Sequence, residues 1–173
     1  MRIGVVSDTH GKVDPALAAL FAGVDAIVHA GDVVGAGVLE ALALIAPLRA
    51  VRGNNDEGPW AEALPAARVE RFAGVPVLVV HILPSVEAPS LAVQFLLQAE
   101  KPKVVVTGHS HAPLLVLKDG ILFFNPGSAG PARFKVKPSA GLLTLTEKGM
   151  HAELYALEAG KPRKTSELIV TAP

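Results

Sequence analysis

The stretch Ile3-Gly4-Val5-Val6-Ser7-Asp8-Thr9-His10 decides the fold. So short an apolar, β-branched run, closed at once by polar residues, reads as a buried parallel strand that delivers side chains at its carboxyl end. The design repeats. Ala26–His29 runs into Ala30-Gly31-Asp32, Leu48–Val51 into Arg52-Gly53-Asn54-Asn55-Asp56, Val75–Val80 into His81, and Lys103–Thr107 into Gly108-His109-Ser110-His111. Between the first three strands lie two helix-like stretches. Asp14 offers a cap, Pro15 takes the first helical position and Gly23 ends the first helix, while Gly37–Ala46 is stopped by Pro47. A β-α-β-α-β order calls for right-handed crossovers and a parallel sheet.

Downstream the pattern is mixed. Arg68–Phe72 and Val75–His81 flank Ala73-Gly74 as a hairpin, and Ser90–Glu100 reads as a helix closed by Pro102. Asp119-Gly120 joins a second pair of strands, and Lys148-Gly149 joins Gly141–Thr146 to Ala152–Leu157. Only Lys161–Lys164 reads as loosely held. The expectation is an α/β fold, one domain over residues 1–173, with two sheets and flanking helices.

Composition bounds the function. The chain has 173 residues, half of them hydrophobic, which suits one domain with a sizeable core. Sixteen basic residues balance sixteen acidic ones, so the broad basic surface of a nucleic-acid or anionic-membrane binder is missing and long nucleic acids are disfavoured as partners. With no cysteine, any metal must be held by imidazole, oxygen or amide ligands. The longest apolar runs contain His and Pro and fall short of a membrane span, and no cleavable leader is evident, so the chain is expected to be cytoplasmic.

In open α/β sheets ligands collect at the carboxyl ends of strands, so these loops are expected to converge. Asp8 with His10, and His109 with His111, stand at i and i+2, which in extended backbone places each pair on one face. Taken singly, Asp8 and Asp32 could be turn or cap residues, and His81 a hydrogen-bonded core histidine. Together, two carboxylates, four imidazoles and one amide suit two divalent cations of the Mn, Fe, Ni or Zn type more than Mg or Ca. Two carboxylates leave such a pair with surplus positive charge, enough to hold a phosphate ester. His29 reads as structural, perched behind a carboxylate; His151 reads as a surface residue, and Trp60 as core or a pocket lid. Leu91–Leu97 is an apolar stretch suited to a second copy of the chain.

At Asp8-x-His10, Gly31-Asp32, Gly53-Asn54, His81 and Gly108-His109-x-His111 the sequence resembles the calcineurin-like metallophosphoesterases, most of all the small YfcE-type phosphodiesterases. The resemblance implies a four-layer α-β-β-α sandwich of two mixed sheets. It implies that Asp8, His10, Asp32 and His111 hold one metal and Asp32, Asn54, His81 and His109 the other, with Asp32 shared. The implied reaction is hydrolysis of a small phosphodiester by a hydroxide bridging the ions, with Asp32, Asn54 and His109 closest to the chemistry. Asn125-Pro126-Gly127-Ser128 resembles a motif of the same subfamily and is expected to pack beside the site.

Two departures stand out. Asn55 occupies the place where many relatives carry a His thought to protonate the leaving group, and an amide is no general acid; Asp56 could substitute only with a raised pKa. Ile82 and Leu83 replace the Gly and His common after the histidine matching His81, and are expected to form an apolar wall against an organic ester group. Arg133 is a candidate phosphate clamp. Rival readings are a phosphomonoesterase or protein phosphatase of the same fold, and a non-catalytic metal-binding scaffold resembling the retromer subunit.

Overall fold

The structure, a computed structural model, describes residues 1–131, 137–158 and 160–172. Strand β1 (Arg2–Val6) sits inside a six-stranded sheet. Parallel to it run β2 (Ala26–His29) and β3 (Leu48–Ala50), and on its other side the antiparallel strands β9 (Ser139–Thr146), β10 (Gly149–Glu158) and β11 (Lys161–Thr171) continue to the edge. A second, five-stranded sheet has the order β4 (Ala67–Phe72), β5 (Val75–Val80), β6 (Val104–Val106), β8 (Ile121–Asn125), β7 (Leu114–Lys118), with β5, β6 and β8 parallel and both edge strands antiparallel.

Period-two alternation sorts side chains into layers. Ile3, Val5, Val28, Val77, Val79, Val104, Val106, Phe124 and Leu143 face inward and fill the space between the sheets. The alternate residues Val6, Ile27 and Leu142 pack under α1 (Ala16–Leu20) and α2 (Ala36–Ala43). On the far side Leu78, Val80, Val105 and Phe123 pack under α4 (Leu91–Glu100), which buries Val93. The result is the expected sandwich of two mixed sheets between helices.

Three local expectations need correction. Helix α2 stops at Ala43 rather than Ala46, and a single turn, α3 (Pro59–Glu62), has no apolar periodicity to announce it. Its Trp60 packs on the helix-side core. Lys161–Lys164 opens the long strand β11 and pairs with Tyr155–Glu158 of β10. Polar residues on both faces hid this strand, but charged side chains are what protect a sheet edge from further pairing. No helix among the described residues is long and apolar enough to cross a membrane. Within the apolar stretch of α4, Leu91 and Phe95 lie 83% and 69% exposed.

Candidate metal centre

The carboxyl ends of β1, β2, β3, β5 and β6 open onto one place. The loops after β1 and β2 are laced by Asp8 N–H to Gly31 O (2.9 Å), His10 N–H to Asp32 O (3.1 Å) and Gly11 N–H to Val33 O (2.8 Å), and Gly108 N–H reaches His81 O (3.0 Å). Their backbone is not extended: Asp8, His10, Asp32, His109 and His111 have φ of 53°, 48°, 55°, 64° and 58°. Non-glycine residues rarely take this left-handed form, at a cost of roughly 1–3 kcal/mol each, and such strain concentrates where side-chain direction matters.

Asp8, His10 and His111 offer ligand atoms all within 4.8 Å of one another, and so do Asp8, Asp32 and His81. In the first group Nε2 of His10 and of His111 face each other at 3.2 Å, and His111 Nε2 lies 3.2 Å from Asp8 Oδ1. Asp8 is wholly buried, and burial pushes its carboxyl above the usual range. Its Oδ2 accepts His109 N–H (3.0 Å), but Oδ1 has no hydrogen-bond partner among the described residues. An anionic oxygen left buried without a donor is costly, and a cation between it and the two ring nitrogens would remove that cost.

The second group adjoins the first. His81 Nδ1–H donates to Ala30 O (2.7 Å), which turns Nε2 toward Asn54 Oδ1 (3.0 Å) and Asp32 Oδ1 (3.3 Å). His109 Nδ1 approaches the same Asn54 oxygen at 2.9 Å. Lone pairs therefore converge here unless a proton or a cation stands between them. Without a cation, burial opposes charging His81, but hydrogen bonds to Asp32 and Ala30 O together with the charges of Asp32 and Asp8 outweigh it and raise the pKa. Burial likewise works against ionised Asp32, yet hydrogen bonds from His81 and Asn55 hold it well below the usual carboxylate range.

The i, i+2 expectation does not hold as stated. Because the backbone is left-handed, His109 and His111 diverge, His109 toward Asn54 and His111 toward Asp8 and His10, while Asp8 and His10 do converge. Asp8 is the carboxylate common to both groups of close ligand atoms, whereas the resemblance assigns sharing to Asp32.

The surroundings revise other expectations. Asn55 clamps Asp32 through its backbone N–H (2.8 Å to Oδ1) and its side-chain amide (2.5 Å to Oδ2). Asp56 accepts Val34 N–H (2.8 Å) at one oxygen and Gly53 N–H (2.7 Å) at the other, a brace between two loops. Among the described residues His29 hydrogen-bonds to no carboxylate. Its Nδ1 accepts Gly31 N–H (3.2 Å), so Nε2–H points to the Thr9 hydroxyl (3.0 Å), which passes the chain on to Val33 O (3.2 Å). Full burial pushes its pKa down to about 3 and keeps it neutral. The Asn125–Ser128 loop does pack beside the site: Ser128 Oγ donates to Asp8 O (2.9 Å), and Asn125 Nδ2 donates to Gly108 O (2.7 Å). Leu83 packs under α4, whereas Ile82 is 42% exposed beside His81. Arg133 lies outside the described residues.

Two glycines let the strands' ends come this close. A Cβ on Gly53 would overlap Asp32 Oδ1, and one on Gly108 would overlap Ser7 Oγ and stand 2.7 Å from Asp8 Oδ2.

A strand-end cluster of carboxylates, imidazoles and an amide, on two mixed sheets, is suited to holding divalent cations. Over residues 1–148 the chain matches the calcineurin-like phosphoesterase superfamily domain, and it belongs to that family. It is 31% identical to a probable metallophosphoesterase of Methanocaldococcus jannaschii, over 91% of this chain and 82% of that one. Among solved structures it is similar to Vps29 of Chaetomium thermophilum (TM-score 0.82, 22% identity, 100% of both chains) and to an archaeal phosphodiesterase (TM-score 0.71, 20% identity, 98% of this chain and 100% of that one).

Proposed function

We propose that residues 1–173 form one domain that is a dinuclear phosphodiesterase. Asp8, His10, Asp32 and His111 would hold one divalent cation, and Asp32, Asn54, His81 and His109 the other, from the set Mn, Fe, Ni or Zn. The observation that carries this reading is the pair of adjoining ligand groups that share Asp8, a buried carboxylate whose Oδ1 has no hydrogen-bond partner among the described residues. Bound there, two cations supply Lewis acidity that activates water and neutralises charge at phosphorus during an in-line displacement. The protein's own contribution is orientation. Ala30 O fixes the His81 tautomer so that Nε2 is the donor atom, and Asn55 fixes both oxygens of Asp32.

Neither Asn55, committed to Asp32, nor Asp56, committed to two backbone amides, is placed to protonate a departing alkoxide. That supports small diesters with stable leaving groups over monoesters that depend on a general acid. The test is metal analysis of the purified protein, followed by turnover of bis(4-nitrophenyl) phosphate and 4-nitrophenyl phosphate before and after chelation. Near-stoichiometric metal, and diester hydrolysis that exceeds monoester hydrolysis and is lost on chelation, support the reading. Dominant monoester turnover would favour the phosphatase alternative. Bound metal with no turnover under Mn, Ni, Fe or Zn would favour a scaffold, a reading to which the structural likeness to Vps29 lends support.

A further inference from the structure

Beside the second ligand group lies a cavity of about 350 Å³. Its lining joins Asn54 and His81 to Ala66, Ile82 and, from α4, Ala92, Val93 and Leu96. Val80 also lines it, and Val80 and Val93 are 5% and 4% exposed. Arg52 also lines it, with a side chain that forms no ion pair with any described residue. Small alanines keep the space open, and apolar side chains make it suited to an organic group rather than to water or free phosphate.

We propose that this cavity is the subsite for the retained ester group of a phosphodiester, and that it takes an apolar, ring-sized substituent. Continuity carries the assignment. The same Asn54 and His81 belong to the ligand group and to the cavity lining, so the second ester arm of a diester held there has this apolar space beside it. A monoester has no such arm and leaves the cavity unfilled. Arg52 adds a single positive charge, which complements the single negative charge of a diester. The inference rests on the phosphodiesterase reading and names the substrate class that reading leaves open.

The experiment compares bis(4-nitrophenyl) phosphate with methyl 4-nitrophenyl phosphate, which share a leaving group and differ only in the retained arm. Ala92→Phe fills the cavity from a solvent-exposed helix position, and Ala92→Ser changes its volume little. The kcat/KM ratio of aryl to methyl substrate is expected to fall about tenfold in Ala92→Phe and to stay near wild type in Ala92→Ser. Turnover of both substrates with the same ratio in all three proteins would overturn the subsite and leave the phosphodiesterase reading standing. If neither substrate is turned over, that reading fails and the cavity is judged by binding. Phenylphosphonate is titrated into the protein while the methyl resonances of Ile82, Val93 and Leu96 are followed. Saturable shifts at those methyls support the cavity as an aryl phosphonate site, and their absence overturns it.

Discussion

Among the described residues, two parts of the molecule gather histidine and carboxylates within ligand distance, and they differ in burial, backbone and partners. At the strand ends Asp8 and Asp32 are buried, the backbone is left-handed and one carboxylate oxygen lacks a donor. On the β10–β11 ribbon His151, Glu153 and Glu167 also lie within 4.8 Å of one another. There His151 and Lys164 both bind Glu167 (2.8 and 3.0 Å), and the Tyr155 hydroxyl donates to Glu153 (3.0 Å). Both carboxylates of this cluster are answered by protein donors, so a cation has little to gain. Proximity of ligands is therefore a weak criterion, and unanswered buried charge a strong one.

Replacing the unanswered charge should break the contrast most. Asp8→Asn keeps an acceptor for His109 N–H and turns an amide toward His111. Metal content should fall to near zero by elemental analysis and kcat by more than about a hundredfold, beyond what loss of an outer partner causes. The melting temperature of the metal-free protein should rise, because a neutral amide replaces a buried carboxylate. Asn55→Ala is next: it frees Asp32 Oδ2, and metal affinity measured by competition with a chelator should weaken by about 10–100-fold.

His29 sharpens the contrast through acid sensitivity. Its folded pKa of about 3 lies below the usual 6.5, so the unfolded chain binds the extra proton between those values. This stability is fully present above pH 6.5 and lost as pH falls toward 3, amounting to about 2 kcal/mol by pH 5. In urea titrations of the metal-free protein, His29→Gln should flatten that limb. The ribbon should respond least. Glu167→Gln is expected to leave metal stoichiometry unchanged and to shift the melting temperature too little to measure, as exposed ion pairs do.

Much of this was readable from residue types. Ile3 and Val5 against Val6, or Val77 and Val79 against Leu78, announce two-faced burial by simple alternation, and their abrupt polar ends mark where ligands emerge. What escaped depends on geometry that residue type does not encode. Extended backbone would put His109 and His111 on one face, whereas their left-handed φ sends them to different ligand groups. Asn55 looked like a missing acid, and only the fold shows its amide and backbone gripping Asp32. His29 looked like a carboxylate's partner, but it reaches Thr9 and Gly31. Strand β11 escaped because an edge strand with charges on both faces has no apolar period to detect.

The bare backbone at Gly53 and Gly108 has a consequence for protein engineering. Transplanting the liganding side chains onto another scaffold would not recreate this centre, since a Cβ at Gly53 would claim the place of Asp32 Oδ1, and one at Gly108 would claim that of Ser7 Oγ and crowd Asp8 Oδ2. Even alanine there would compete with Asp32 or Asp8 for space, so the hydrogen atoms of two glycines are as much a part of the cation binding specification as the imidazoles.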